Sequence, residues 1–596
     1  MKQVGRVRPG EPLDVRGTRP TRLAGDRLAL PASWRGFQRR SDRADAGYRF
    51  GVPDKSNASG RNSLPSPSPW PSPQGGGSGV AVVGQWLRRF TALAILLSSL
   101  FPIHSSAQTQ SASLTPPPFR EFRGAWIASV SNIDWPSKPG LSSAQQKAEL
   151  AALLDKASQL RLNAVILQVR PACDALYASP HEPWSEYLTG QMGRAPDPFY
   201  DPLAFAIEQA HQRGLELHTW FNPFRAKHSS AKSPVSSNHV SRAHPKWIRS
   251  YGKMLWLDPG EKAAQEFSLT AILDVVRRYD IDGVHLDDYF YPYKVKGSNG
   301  KWLDFPDDAT WSQYKASGGK LSRNDWRRQN VNDFVQRLYQ RIKAEKRWVK
   351  FGISPFGIWR PGHPAQITGM DAYEDTYADS RKWLASGWCD YFAPQLYWPI
   401  HPPEHSYTAL LHWWADQNTK KRHVWPGSKS AAVGHGWRKE EIVEQIRLAR
   451  REPGVTGHIH WHMNSLMTNA GGLSGALAKD SYALPALIPA SPWLDDKPPA
   501  EATVRLDPSA NGGELKAGWA VAGPEPAWLW VLQFKNSGTW TTEILPGRQA
   551  SRTWTKLSSR PFPDAVAVAA VDRTGNMARP TVVQTKPAAR PRPTKP

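Results

Sequence analysis

Two adjacent carboxylates, Asp287 and Asp288, end a short apolar run in the stretch YDIDGVHLDDYFYP, residues 279–292. Ile281, Val284 and Leu286 give this run the character of a buried parallel strand. The two-residue period of a strand puts Gly283, His285 and Asp287 on the face opposite Val284 and Leu286. Neighbouring carboxylates repel, so one should keep its proton to a higher pH than the other. An acid beside an anion is the equipment for breaking an acetal by general acid catalysis. The plainer alternative is a strand end capped by two solvated aspartates.

Such a pair needs a frame, and the chain from Arg120 alternates short β-rich runs with helical ones. The strand readings are 122–129, 163–169, 215–221, 281–286, 349–354, 391–397, 423–427 and 457–463. Helices are expected between them, notably over 144–160, 202–213, 261–279, 324–346 and 438–451. Apolar residues at helical spacing (Leu150, Leu153, Leu154, Ala157 and Leu160) mark the first. Asp201 with Pro202 opens the second and Gly214 closes it. Eight strand–helix repeats over residues 119–489 predict an α/β fold, a (β/α)8 TIM-type barrel with long loops at one end. An open doubly wound sheet would want a glycine-rich phosphate turn, and none is present.

A proline-rich linker, 490–499, is followed by short runs such as AWLWVLQF and AVAVAAVD between Gly, Pro and Asn turns. Residues 500–582 therefore read as a fibronectin-III-like β-sandwich. Residues 583–596 form a basic tail. Residues 1–79 are rich in Arg, Pro, Ser and Gly with no apolar period, and read as disordered. Within 80–107, Arg88-Arg89 precede the apolar run 91–101 and the small residues Ser105-Ser106-Ala107, the pattern of an export signal. A signal belongs at the N-terminus, so 1–79 could be a misassigned start, or a genuine extension ahead of a short signal anchor. Residues 108–118 link the signal to the barrel. The expected location is the periplasm or cell envelope, with no stable membrane anchor after cleavage.

The formal net charge of +24 overstates the basicity of the folded part, because residues 1–107 carry +10 of it. No basic helix or nucleic-acid motif accompanies the remaining +14, so no nucleic-acid partner is expected. Cys173 and Cys389, the two cysteines, read as buried thiols, with a disulfide as the alternative for an exported chain. His458, His460 and His462 alternate along the last strand and should share one face, lining the lumen or core. They lack an acidic or Cys partner at ligand spacing, so neither metal nor cofactor is expected. No GxSxG nucleophile elbow is present. In a barrel, chemistry collects at C-terminal strand ends. Those ends carry Arg170, Asn222, Arg225, Asp287, Asp288, Tyr289, Ser354, Gln395, Tyr397, Trp398 and Trp461, the inventory for holding a polyhydroxylated ring.

The segments FRGAWIASVSNIDWPSKPGLS, LQVRPACDALYASPHEPWSEYLTG, HTWFNPFRA, DGVHLDDYFYP, GISPFGIWR, YADSRKWL and YFAPQLYW resemble the glycosyl-hydrolase-like family ten of exported bacterial barrel proteins. The resemblance covers about 119–488. It implies a glycosidase of envelope polysaccharide, with peptide-free (denuded) peptidoglycan glycan strands as the substrate. It points to Asp287, Asp288, Arg170, Asp174, Glu182, Asn222, Arg225, Gln395 and Tyr397. Asp174 and Glu182 would supply a base or nucleophile, or else anchor their loop. Gln395 and Tyr397 would bind substrate or orient a carboxylate. Trp126, Trp398 and Trp461 would stack on sugar faces, or belong to the core. Arg170 and Arg225 would pair with lactyl carboxylates, or buttress Asp287. Asp258 in WLDPG, where relatives often carry Asn, would add a carboxylate near the mouth. Tyr289 stands where the similar chitinase signature has its glutamate, which removes chitinase-type acid catalysis from that position. A non-catalytic glycan-binding or scaffold protein is the competing reading. In either case the sandwich would dock cell-division or other envelope proteins.

Overall fold

The computed structural model describes residues 115–557 and 561–585. The readings made on 1–79, on 80–107, on the start of the linker and on the tail after 585 lie outside the described residues. Eight strand segments run through the first part: β1 (Phe122–Ile127), β2 (Ala164–Arg170), β3 (Glu216–Phe221), β4 (Gly283–Leu286), β5 (Lys350–Ile353), β6 (Tyr391–Phe392), β7 in two halves (His423–Val424 and Gly427–Ser428) and β8 (Gly457–His460). A helix follows each: α1 (Ser143–Gln159), α2 (Pro202–Gln212), α3 (Lys262–Arg278), α4 (Arg323–Glu345), α5 (Ser380–Ser386), α6 (Tyr407–Asp416), α7 (Lys439–Arg451) and α8 (Leu473–Lys479). Local chemistry sets the helix starts. Ser142 and Gln145 form a capping box on α1. The Asp201 carboxylate accepts the Leu203 and Ala204 N–H groups ahead of α2.

The strands pair in parallel in the order β6-β5-β4-β3-β2-β1-β8, and the two halves of β7 flank this row at its two ends. One half pairs with β6 and the other with β8. Trp425 and Pro426 alone separate the halves, so both edges of the sheet belong to one segment and the sheet curls on itself as in a TIM-type barrel. Pro426 brings no N–H to the ladder, which accounts for the break. The sixth, seventh and eighth strands are shorter than the sequence reading. The stretch after β3, expected to be a loop, builds a three-stranded antiparallel sheet from Arg225–Lys227, Ile248–Tyr251 and Met254–Leu257.

Inside the ring, Phe122, Trp126, Ile166, Trp220, Tyr391, Trp425 and Ile459 pack as one cluster. Phe122 lies flat on Trp425, centroids 3.6 Å apart. A polar thread runs through this core. The Trp126 indole can only donate, and its N–H meets His285 Nε2 at 3.1 Å. His285 Nδ1 therefore carries the proton and donates to the Tyr391 hydroxyl at 3.0 Å. That hydroxyl donates to His218 Nδ1 at 2.9 Å. His218 Nε2–H then donates to Glu216 at 2.9 Å, and Lys350 Nζ donates to the other Glu216 oxygen at 2.7 Å. Burial keeps His285 neutral, well below its ordinary pKa. His458 and His460 point the other way, away from the lumen. Both ring Nε2 atoms reach the Tyr482 hydroxyl, at 2.5 and 2.6 Å, while Ile459 between them joins the lumen cluster. Of the two positions expected for these histidines, lumen or core, both take the core outside the lumen.

The second part is all-β, with strands β9 (Ala502–Pro508), β10 (Glu514–Val521), β11 (Leu529–Asn536), β12 (Thr539–Pro546), β13 (Ser551–Thr555), β14 (Ala565–Val571) and β15 (Thr581–Gln584). They form two antiparallel sheets, β9-β10-β13 and β12-β11-β14-β15. Ala517 and Trp519 of the first sheet pack with Trp530, Leu532, Val566 and Val568 of the second. Arg573, after β14, donates to Asp282 at 3.1 Å and pairs with Asp280, both just ahead of β4. Its carbonyl accepts Lys350 Nζ at 3.2 Å. The sandwich thus grips the N-terminal end of the barrel strands. Cys173 and Cys389 are free thiols, both buried. Among the described residues no helix is long and apolar enough to cross a membrane.

Rings fill the lumen where glycines leave room. A Cβ added at Gly352 would lie 1.9 Å from the Tyr391 ring. Gly352→Ala is therefore expected to cost about 3 kcal/mol of stability, read as a lower urea midpoint at unchanged slope.

Candidate active site

The site is set by hydrogen bonds whose direction is dictated from the backbone outward. Just after β1, the Ser129 and Val130 N–H groups donate to Gln168 Oε1 at 3.0 and 2.9 Å. Backbone N–H groups cannot accept, so the Gln168 amide nitrogen points the other way and donates to Asn222 Oδ1 at 2.7 Å. Arg225 donates to the same oxygen. With its oxygen doubly occupied, Asn222 turns its amide N–H onto the Asp287 carboxylate. The Trp220 indole N–H adds a donor at 3.1 Å, and the Tyr289 N–H another at 3.3 Å. Asp288 leans to the other side, accepting from the Tyr293 hydroxyl and from the Gln395 amide. Gln395 also donates to the Ser354 carbonyl at 2.9 Å.

Asp287 and Asp288 are 4 % and 6 % exposed, so neither is a solvated strand cap. Burial, and next the charge of Asp288, push Asp287 up to about 7, against the pull of Arg225. Burial also raises Asp288, opposed by its hydrogen bonds. The Arg225 guanidinium lies over the Tyr289 ring, 5.1 Å from its centroid, and donates to the Pro171 carbonyl at 2.9 Å. The expected group of Asp287, Asp288, Asn222, Arg225, Tyr289 and Gln395 is therefore assembled at the tip of β4.

Half-buried Tyr289, Tyr293, Tyr397, Trp398 and Trp461 and buried Trp220 and Phe356 lie at the same end of the barrel. Tyr289 meets Tyr293 edge-on at 5.3 Å, and Tyr293 meets Phe356 at 6.4 Å. Phe356 meets Trp398 at 5.5 Å. Across the ring, Trp461 lies 6.2 Å from Tyr397 and 6.2 Å from Trp220. Such rings offer flat apolar faces with polar edges. Trp126, 2 % exposed and hydrogen-bonded to His285, is core and offers no face to a ligand.

The loop after β2 departs from expectation. Arg170 and Glu182 are fully buried in a bidentate pair, with contacts of 2.6 and 2.8 Å. Another Arg170 nitrogen holds the Asn222 and Pro223 carbonyls at 2.6 and 3.1 Å. With every face so engaged, Arg170 is no ligand for a substrate carboxylate and Glu182 is no exposed base. Together they brace the backbone that presents Asn222. Asp174 is likewise enclosed, accepting the Ala172 N–H at 2.8 Å, and burial lifts it to about 6. Asp258 is fully buried and ion-paired with Arg249 at 2.7 Å, so it adds no carboxylate to the mouth. Among the described residues no group of three or more His, Cys, Asp or Glu side chains could hold a metal.

The model of the family Glycosyl hydrolase-like 10 matches residues 121–442. This chain belongs to that family. The glycosyl hydrolase YngK of Bacillus subtilis (strain 168) is 43 % identical over 410 residues, spanning 67 % of this chain and 79 % of YngK. The glycosyl hydrolase DigH of Escherichia coli (strain K12) is 36 % identical over 353 residues, spanning 54 % of this chain and 78 % of DigH. Among solved structures, the PgaB (BpsB) glycoside hydrolase domain from Bordetella bronchiseptica matches at TM-score 0.40 and 13 % identity, covering 61 % of this chain and 98 % of that one. That likeness is too distant to carry an argument.

Sequence reasoning missed Gln168, Trp220 and Tyr293 in this family member. Gln168 had a signal, being a lone amide in the apolar run AVILQV. Trp220 shares a strand face with His218 by the two-residue period. Tyr293 lies beyond the strand, where no period reaches. Asp287 favours the fold most when protonated. Its contribution is intact below the ordinary value of 3.8 and is lost as pH rises through about 7. Asp287→Asn is neutral throughout. Its Tm gain on wild type should grow from nothing below about pH 4 to a few °C at and above about pH 7, by scanning calorimetry.

Proposed function

We propose that this glycosyl hydrolase cleaves glycosidic bonds of bacterial envelope polysaccharide, with peptide-free peptidoglycan glycan strands as its substrate. The observation that carries the reading is a buried carboxyl pair, one member lifted to about 7, under a ring of half-buried aromatics. Asp287, protonated near neutral pH, gives its proton to the glycosidic oxygen. Asp288, the anion beside it, stabilises the positive charge that grows on the sugar ring. Asn222 and Trp220 hold the acid in place and stabilise the carboxylate left behind. Tyr289, Tyr397, Trp398 and Trp461 bind sugar faces, and Gln395 fixes Asp288.

The choice of substrate rests on the family resemblance and on the signal-like segment 80–107, which also supports an envelope location. The barrel is assigned to 119–489 and the sandwich to 500–582. The three-plus-four strand arrangement supports a fibronectin-III-like module, whose role is to dock the enzyme on other envelope proteins. Purified protein should release reducing ends from peptide-free glycan strands. Asp287→Asn should lower kcat by about 1,000-fold or more. A wild type that binds strands and never cuts them would make this a glycan-binding protein instead.

A further inference from the structure

Two neighbouring carboxyl groups that share one proton can hold it on either member, and the roles of acid and anion follow from which one does. Asp287 Oδ2 accepts from the Trp220 indole and from the Asn222 amide, neither of which can take a proton. A proton on Asp287 therefore sits on Oδ1, where the Tyr289 N–H is 3.3 Å away. Asp288 Oδ2 has the Tyr293 hydroxyl as its donor. Burial raises Asp288, and the Tyr293 hydroxyl opposes this more strongly than Gln395 or Arg225 does. With Asp287 alongside, these are the side chains that face Asp288.

The hydroxyl is aimed from both sides of the chain. Just before it, buried Phe290 packs on Trp383, and buried Tyr291 on Phe305 and Tyr377, with centroids 4.9, 5.1 and 5.0 Å apart. The Phe290 carbonyl also accepts the Trp256 indole N–H at 2.8 Å. Just after it, Lys294 pairs with Asp375 at 2.6 Å, and the Val295 N–H donates to the Tyr251 hydroxyl at 3.3 Å. Between these ties the Tyr293 ring stands edge-on to Tyr289 and Phe356 and turns its hydroxyl to Asp288.

We propose that Tyr293 is the positioning residue that divides the roles within the pair: its hydroxyl holds Asp288 as the anion and so leaves the acid proton on Asp287. The kinetic part of this inference rests on the glycosidase reading. The active form carries a charged Asp288 and a protonated Asp287. The rising limb of kcat/KM against pH then reports Asp288, and the falling limb, at about 7, reports Asp287.

The test uses the full chain and peptide-free glycan strands. Tyr293→Phe keeps the ring and removes the donor. It should move the rising limb up by about one pH unit or more, a loss of about tenfold on the acid side, with the falling limb in place. 3-Fluorotyrosine at position 293, a stronger donor in the same ring, should move the rising limb down. Carbon-13 NMR of the aspartate carboxyls, with the Asp288 signal assigned by its loss in Asp288→Asn, should show Asp288 titrating higher in Tyr293→Phe at wild-type Tm. Unshifted limbs with a uniform loss at every pH make Tyr293 a substrate contact only and overturn the proposal. So does an Asp288 signal that titrates as in wild type. A wild type that releases no reducing ends removes the glycosidase reading, and the NMR titration then decides by itself whether Tyr293 holds Asp288 charged.

Discussion

Burying two neighbouring carboxyl groups at the tip of one strand is costly, and much of the barrel's upper half compensates for it. Asp287 survives there because Asn222, Trp220 and the Tyr289 backbone all donate to it. None of these donors is free to turn away. Asn222 is oriented by Gln168, and Gln168 by backbone N–H groups after β1, so the direction of one hydrogen bond propagates across three strands. The bidentate Arg170–Glu182 pair contributes from behind, clamping the carbonyls of Asn222 and Pro223. A carboxyl group held this way needs little reorganisation when it gives up its proton.

The two ends of the barrel divide the labour. Toward the C-terminal strand ends lie the carboxyl pair, the aromatic rim and the His462–Asp134 pair. Toward the N-terminal ends lie Glu216, Lys350 and the Arg573 clamp from the sandwich. Between them the lumen is filled by stacked rings and by the thread Trp126–His285–Tyr391–His218. Tyr391 and His218 fit because Gly352 and Gly283 face them without a Cβ. A lumen packed this tightly anchors β4 from below and leaves its tip at the C-terminal end of the barrel. The sandwich is attached at the far end, through Arg573.

Several enclosed charges show why residue type alone is a weak guide to role. Glu182, Asp174, Asp258 and Arg170 are as polar as Asp287, and all lie in loops or at strand ends. Glu182 is closed off by Arg170 and Asp258 by Arg249, while Asp174 is enclosed with one oxygen on the Ala172 N–H. Trp126 shows the same for aromatics, since its indole is claimed by His285 from a strand 159 residues later. Conversely, His462 was read as one of three equivalent histidines. Only the bend after β8 separates it from His458 and His460 and brings it to Asp134.

From residue order alone came the alternation of strands and helices, the cap on α2, the acidic tip of β4 and the lumen-facing side of Asp287. These follow from short-range physics: periodicity, capping and repulsion between neighbours act within a few residues and can be read without a fold. Tertiary structure alone decided which carboxylates are spent on ion pairs, which tryptophans are core, where strand seven breaks, and that the loop after β3 builds its own sheet. It also decided the direction of the hydrogen bonds on Asp287. Those outcomes depend on burial and, for Trp126 and Asp287, on partners brought from distant strands, neither of which spacing along the chain reveals.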